Sequence, residues 1–316
     1  MGKYKEIDLE NLTRYPMKQR SSLVTATMQA VPPEQGMTMD AFFQCLPKVL
    51  KAKDFLSVAT AIVMAKKKGK PVIAMIGGHV IKTGLTPVLI DLIEKGYISH
   101  MASNGSAAIH DTELYLFGHT SEDVASTLED GSFGMVTDTA DMINKAAKHA
   151  CRKQEGFGEA LGADLMHGNA DNARRTLLGR CYELSIPYTL HVAMGTDIVH
   201  QHPSADGAAI GEASHRDFKI FAKTVSAIGQ GGVVLNLGSA VIMPEVFLKA
   251  LSVARNLTPA ITDFSTANFD MIQHYRPMTN IVKRPVIPGG NGYTITGHHE
   301  IMIPLLAAAV IETDKP

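Results

Sequence analysis

The chain contains no tryptophan, only three cysteines and almost no net charge. Thirty Lys+Arg against 31 Asp+Glu give −1, which excludes a nucleic-acid binder held by a basic face. Cys45, Cys151 and Cys181 form no CxxC pair and are odd in number. They offer neither a disulfide framework nor a cysteine zinc site and read as reduced thiols. No stretch reaches the ~18 uninterrupted apolar residues of a membrane span. The opening MGKYKEIDLENLTRYPMKQRSS is charged throughout, unlike a signal peptide. A cytoplasmic protein without membrane partners is expected. There is also no Gly/Ser linker, no short internal repeat and no GxGxxG, P-loop or HExxH motif.

What is present is an enzyme-sized globule of 316 residues, 45% hydrophobic, with 13 histidines whose positions matter. Residues 1–38 read as an irregular arm, broken by Pro16, Pro32 and Pro33. Helical periodicity follows over Asp40–Leu50 and Asp54–Lys68, with Gly69 as a stop. Residues 1–70 are therefore expected to pack, as arm and helices, on one α/β domain of residues 71–316. In that domain short apolar runs alternate with helical patterns. The runs are PVIAMI (71–76), YISHMAS (97–103), IPYTLHVAM (186–194), GGVVLNL (231–237) and PAITDF (259–264). Thr120–Leu184 is mainly helical, and a last helix runs from His299 to Thr313 through Pro304. Such alternation predicts an α/β fold with a mostly parallel, Rossmann-like sheet and helices on both faces.

Ligands of open α/β sheets bind beyond the carboxyl ends of the strands, so the residues after each run are the candidates. The first run leads into Gly77, Gly78 and His79, then Lys82, Thr83 and Gly84. Glycines there would let a phosphate approach the backbone, though a tight turn explains them equally. The second leads into Ser103, Asn104 and Gly105, then His110-Asp111. That pair could orient a base, but neighbours on a helix point different ways, and Asp111 reads equally as a cap. The third leads into GTDIVHQHPSADG, where Asp197, His200 and His202 could supply acid–base groups or hold a metal. His298 and His299 precede the last helix. Lys283, beside Arg284, reads on its own as a surface cation.

The order of these runs resembles the deoxyhypusine synthase family over roughly residues 71–313. VIAMIGGHVIKTG, MASNGS, IPYTLHVAMGTD, QGGVVLNLGSA, STANFD and GHHEIMIPLLAAA are similar to its successive segments, in order. The resemblance implies NAD as cofactor, a homotetramer, and transferase chemistry through a lysine imine. It implies Lys283 as the imine-forming lysine and Thr266 and Ala267 as residues lining the dinucleotide. Gly77, Gly78, His79, Ser103, Asn104 and Gly105 would bind cofactor; Asp197, His110, His200 and His298 would serve catalysis. The departures matter as much. One acid, Asp111, stands where the family grips a polyamine with several, Asn236 replaces an active-site histidine, and the family's tryptophan is missing. A polycation without these acids would leave charge unpaired in a pocket. The expected substrate is therefore small and neutral or anionic, not spermidine. Two other readings remain: a metal-dependent hydrolase or lyase using the His200/His202 loop, and a non-catalytic dinucleotide-binding protein.

Overall fold

The computed structural model describes residues 2–258, 261–287 and 289–315. Residues 2–38 contain two 3₁₀ turns and bury no side chain. Helices α1 (Met39–Cys45) and α2 (Leu50–Lys67) follow, and Gly69 ends α2 in the left-handed region at φ +62°. Then come β1 (Val72–Ile76), α3 (Gly78–Lys82), α4 (Thr86–Glu94) and β2 (His100–Asn104). The segment between β2 and β3 is helical, as its pattern predicts: α5 (Gly105–Phe117), α6 (Val124–Leu128), α7 (Thr137–Lys153), α8 (Phe157–Gly168), α9 (Ala170–Ala173) and α10 (Leu177–Glu183). The chain closes with β3 (Tyr188–His191), α11 (Gly207–Val225), β4 (Val233–Leu237), α12 (Ile242–Leu257), β5 (Ser265–Asp270), the short α13 (Tyr275–Pro277), β6 (Asn291–Thr296) and α14 (His299–Thr313). A π-helical turn, Met278–Lys283, lies between α13 and β6.

The six strands form one parallel sheet in the order β3-β2-β1-β4-β5-β6. This is the order of doubly wound dinucleotide-binding sheets, whose direction of winding reverses between β1 and β4. Alternation along the strands feeds two cores. Val72, Ala74 and Ile76 of β1 pack with α2, α4 and α14, whereas Ile73 and Met75 pack with Phe221 of α11 and Phe247 of α12. Helices thus cover both faces. Among the described residues no helix is long and apolar enough to cross a membrane.

One strand expectation changes, and one strand has no counterpart among the apolar runs. Of the run 259–264, Pro259 and Ala260 lie outside the described residues; residues 261–264 form no strand, Ile261 and Phe264 pack against α12, and the strand starts at Ser265. β6, NGYTIT, carries no apolar run and sits half-exposed at the sheet edge.

Candidate functional site

The crevice at the β1/β4 reversal is built from two backbones that touch. Gly77 N–H donates to Leu237 O at 3.1 Å, and a Cβ on Gly77 would lie 2.5 Å from Gly238 O. Gly238 itself takes φ +70°, and a Cβ there would meet the His299 ring at 2.8 Å. No side chain larger than hydrogen fits at either position, so bare peptide lines the mouth. Gly78 is pressed in turn against Ser106 and His110 of α5.

Three layers surround this mouth. His79, exposed, stands edge-on to His299 with ring centroids 5.6 Å apart. His299, 1% exposed, sets Nε2 3.3 Å from Phe269 O and 4.0 Å from Asp270 Oδ1, while its Nδ1 has no partner. Burial pushes its pKa down, with Asp270 opposing. Beneath lies a chain of amides: Asn236 Nδ2 donates to Asn268 Oδ1 at 2.7 Å, and Asn268 Nδ2 to Gln273 Oε1 at 2.8 Å. On the β2 side, the Asp197 carboxylate occupies the place of a side chain on Gly105, in the first turn of α5. Burial raises its pKa, with His200 opposing, and its Oδ2 is unpartnered. A carboxylate there also meets the positive end of α5.

The expected site residues separate into groups. Gly77, Gly78, His79, Gly105, His110 and Asp197 gather around the crevice. Ser103 and Asn104 are next to it but engaged: Ser103 Oγ accepts from Tyr188 OH at 2.8 Å, and the Asn104 side chain caps α5 through Ala107 N–H. His110 binds Thr120 Oγ1 at 2.7 Å, beside Glu113. Asp111 turns away and accepts from Leu177 and Leu178 N–H, capping α10. His200 Nδ1 accepts from Gly195 N–H at 3.1 Å and its Nε2 lies 3.9 Å from Asp197. His202 instead binds Gly134 O, so the two rings of the loop do not converge. Among the described residues, no group of three or more His, Cys, Asp or Glu could hold a metal ion.

Four positions fall elsewhere. Thr266 and Ala267 are buried in the amino-terminal half of β5, where Thr266 Oγ1 donates to Ile281 O. Lys283 follows Ile281 on the same side and is exposed, near Pro285, whose carbonyl takes a hydrogen bond from Arg255 in the last turn of α12. That is the end of the sheet opposite the crevice. His298 points into solvent beside Glu300; its neighbour His299 is the one directed inward. Gly238 and Asp270 also border the crevice and belong to no motif. Their signal was positional, since each stands at the carboxyl end of a strand next to β1 or β4.

A family model, arginine dihydrolase ArgZ-like C-terminal Rossmann fold, matches residues 56–154. Among solved structures, AgrE in ternary complex with ornithine and NAD+ superimposes with a TM-score of 0.53 at 16% identity, covering 84% of this chain and 34% of that one. A LOR/SDH protein from Methanococcus maripaludis S2 gives 0.50 at 17%, covering 89% and 73%. A protein described as a deoxyhypusine synthase from Entamoeba histolytica gives 0.50 at 11%, covering 90% and 96%. The fold is related to theirs. At these identities the likeness shows the fold and not the chemistry, and the chain spans about a third of the length of AgrE. No curated protein matches the sequence.

Proposed function

We propose that the chain is an NAD-dependent enzyme acting on a small neutral or anionic substrate in the β1/β4 crevice. The observation that carries this reading is the contact of Gly77 with Gly238 at the reversal of winding. It leaves peptide groups bare where a pyrophosphate must approach the backbone. The NAD+ bound in AgrE is in keeping with a dinucleotide here, whereas its ornithine, a cation at neutral pH, is not carried over to this chain. The residues present suit the phosphate half of a dinucleotide at the first turn, where Gly77 and Gly78 would hold it; the start of α5 at Gly105 is taken instead by the Asp197 carboxylate. An acid for the ribose is missing at the end of β2, where Asn104 stands.

The cofactor, when bound, supplies hydride transfer. The chain supplies the proton. His299, its pKa pushed down by burial and its Nε2 set against Phe269 O, leaves Nδ1 free to take and return one, and exposed His79 packs edge-on against its ring. The amides of Asn236, Asn268 and Gln273 fix the floor. A lysine imine is not part of this reading, because Lys283 lies at the other end of the sheet. Neither is a metal on the His200/His202 loop.

Two measurements test it. Chromatography of heat-released material, and calorimetric titration with NAD+ and NADH, should give one nucleotide per chain. His79→Glu, an exposed change that places a negative charge at the mouth, should weaken binding by about tenfold. Absence of saturable NAD+ or NADH binding, with no released nucleotide, overturns the proposal.

A further inference from the structure

A second cleft, of ≈ 300 Å³, opens between the first turns of α11 and α12 and the carboxyl end of β3. In the sheet β3 lies two positions from β1, roughly 10 Å away. Val192, Ile210, Phe218, Ile242 and Val246 line the cleft, and its wall carries no Asp, Glu, Lys or Arg. The Ser214 hydroxyl on that wall is engaged with backbone: it accepts from Val192 N–H at 3.0 Å and donates to Leu190 O at 3.1 Å. His215 stands exposed at the rim, its ring parallel to Phe218. The polar side chain left inside is His191, the last residue of β3, which is 4% exposed. Its Nε2 lies 3.0 Å from Thr189 Oγ1, whereas its Nδ1 has no hydrogen-bond partner among the described residues and keeps surface on the cleft.

A chain of hydrogen bonds behind His191 decides what Nδ1 can offer. Thr189 Oγ1 is also 3.0 Å from His100 Nε2, and His100 Nδ1 is 2.8 Å from Thr224 Oγ1. A hydroxyl has one hydrogen, so Thr189 donates to one ring and accepts an N–H from the other. Both rings stay neutral, because burial holds each at about 3, with His100 adding to the effect on His191. They therefore hold opposite tautomers. Either His191 carries its hydrogen on Nε2 and shows the cleft a lone pair, or it carries it on Nδ1 and shows the cleft a donor. In passing from the first state to the second, Nδ1 takes a proton from water in the cleft. His191 Nε2 gives its proton to Thr189, Thr189 gives one to His100 Nε2, and His100 Nδ1 gives one to Thr224. Thr224, half-buried, returns one to water, so no ring gains charge.

We propose that this cleft binds a small uncharged molecule with an apolar body and one hydrogen-bonding atom, which His191 meets as donor or acceptor to suit the ligand. A charged ligand would give up its hydration and find no counter-charge in the wall. A wholly apolar one would leave Nδ1 dry and unpaired. The site is separate from the dinucleotide crevice and does not rest on the reading of that crevice.

Ring-nitrogen NMR of the full chain labelled at histidine tests this with three probes of similar size. Pyridine is an acceptor, pyrrole a donor and benzene neither, and all are uncharged in mildly alkaline buffer. Pyridine and pyrrole should bind saturably at millimolar concentration, and benzene about fivefold more weakly, on the scale of one hydrogen bond. Pyridine should move His191 Nδ1 to its protonated position and pyrrole to its unprotonated one, with His100 Nδ1 moving the opposite way each time. His191→Phe should bring the three probes to one affinity, and Val246→Phe, which fills the cleft from α12, should weaken all three. Melting temperatures check that both variants are folded. Equal affinities for the three probes in the parent, or a His191 ring that responds to none of them, would overturn the proposal without recourse to a variant. Saturating NAD+ should leave pyridine binding unchanged; displacement by NAD+ would overturn the separate site. Because NAD+ binding is read independently, failure of the probes leaves the reading of the crevice untouched.

Discussion

Gly238 combines two constraints that rarely meet in one residue. Its φ of +70° suits glycine, and the His299 ring fills the space where a Cβ would point. Gly238→Ala therefore forces either the strand end or the histidine to move. The expected cost is about 1–3 kcal/mol of stability, with weakened NAD+ binding, read by chemical denaturation and calorimetry. A variant as stable as the parent that binds NAD+ equally would show that the ring has room to retreat. At this scale the sequence was only partly legible. The GG pair after the first run could be recognised as a crevice element. His298 and His299 could not be told apart, because which of two adjacent residues faces inward depends on where α14 begins and how it docks. Lys283 could be matched by counting along the chain, but its depth in the fold is decided by the turn from β5 to β6.

Among the elements, α10 depends on a residue far from it in sequence. Thr176 caps it locally, accepting from Gly179 N–H at 3.1 Å, while Asp111 of α5 takes Leu177 and Leu178 N–H. Asp111 is fully buried, and burial lifts its pKa to about 7 against the two N–H donors. Removing the carboxylate strands two buried donors, so Asp111→Ala should cost about 1–3 kcal/mol. Hydrogen exchange should then show α10 opening before α5; uniform loss of protection would point to global destabilisation instead. Elements with strong periodicity could be read directly: β1, β4, the helical stretch after β2, and α14. β5 and β6 could not. Their STANFD and NGYTIT segments are polar, and they form strands because the neighbouring strand already offers a ladder of hydrogen bonds, a tertiary effect that local pattern does not carry.

For the molecule as a whole, buried titratable groups set opposing trends with pH. Asp111 and Asp217 are each raised to about 7, chiefly by burial, although Asp217 accepts from Leu190 N–H at 2.7 Å and Gly158 N–H at 2.9 Å. Their contribution is full below pH ~4 and is lost as pH rises through about 7. Burial holds His100 and His191 down at about 3, so theirs is full above pH ~6.5 and is lost as pH falls toward 3. The two trends oppose each other between roughly pH 4 and 6.5, and below that range only the histidine loss continues. Asp217→Asn removes one of the two carboxyl contributions and leaves Asp111. Its melting temperature relative to the parent should become more favourable from pH 5 to pH 8, and a constant difference would contradict the shift.

The parallel order of the sheet also has a consequence for synthesis. β1 is central, yet one of its two partners, β4, enters the chain ~160 residues later, which at ribosomal rates of ~5–20 residues per second means a wait of roughly 8–32 seconds. During that interval the apolar edge of β1 has β2 on one side and nothing on the other, and the surface destined for α12 stays uncovered. A nascent chain stalled before Val233 should consequently be far more sensitive to protease and more dependent on chaperones than one stalled after Asp270.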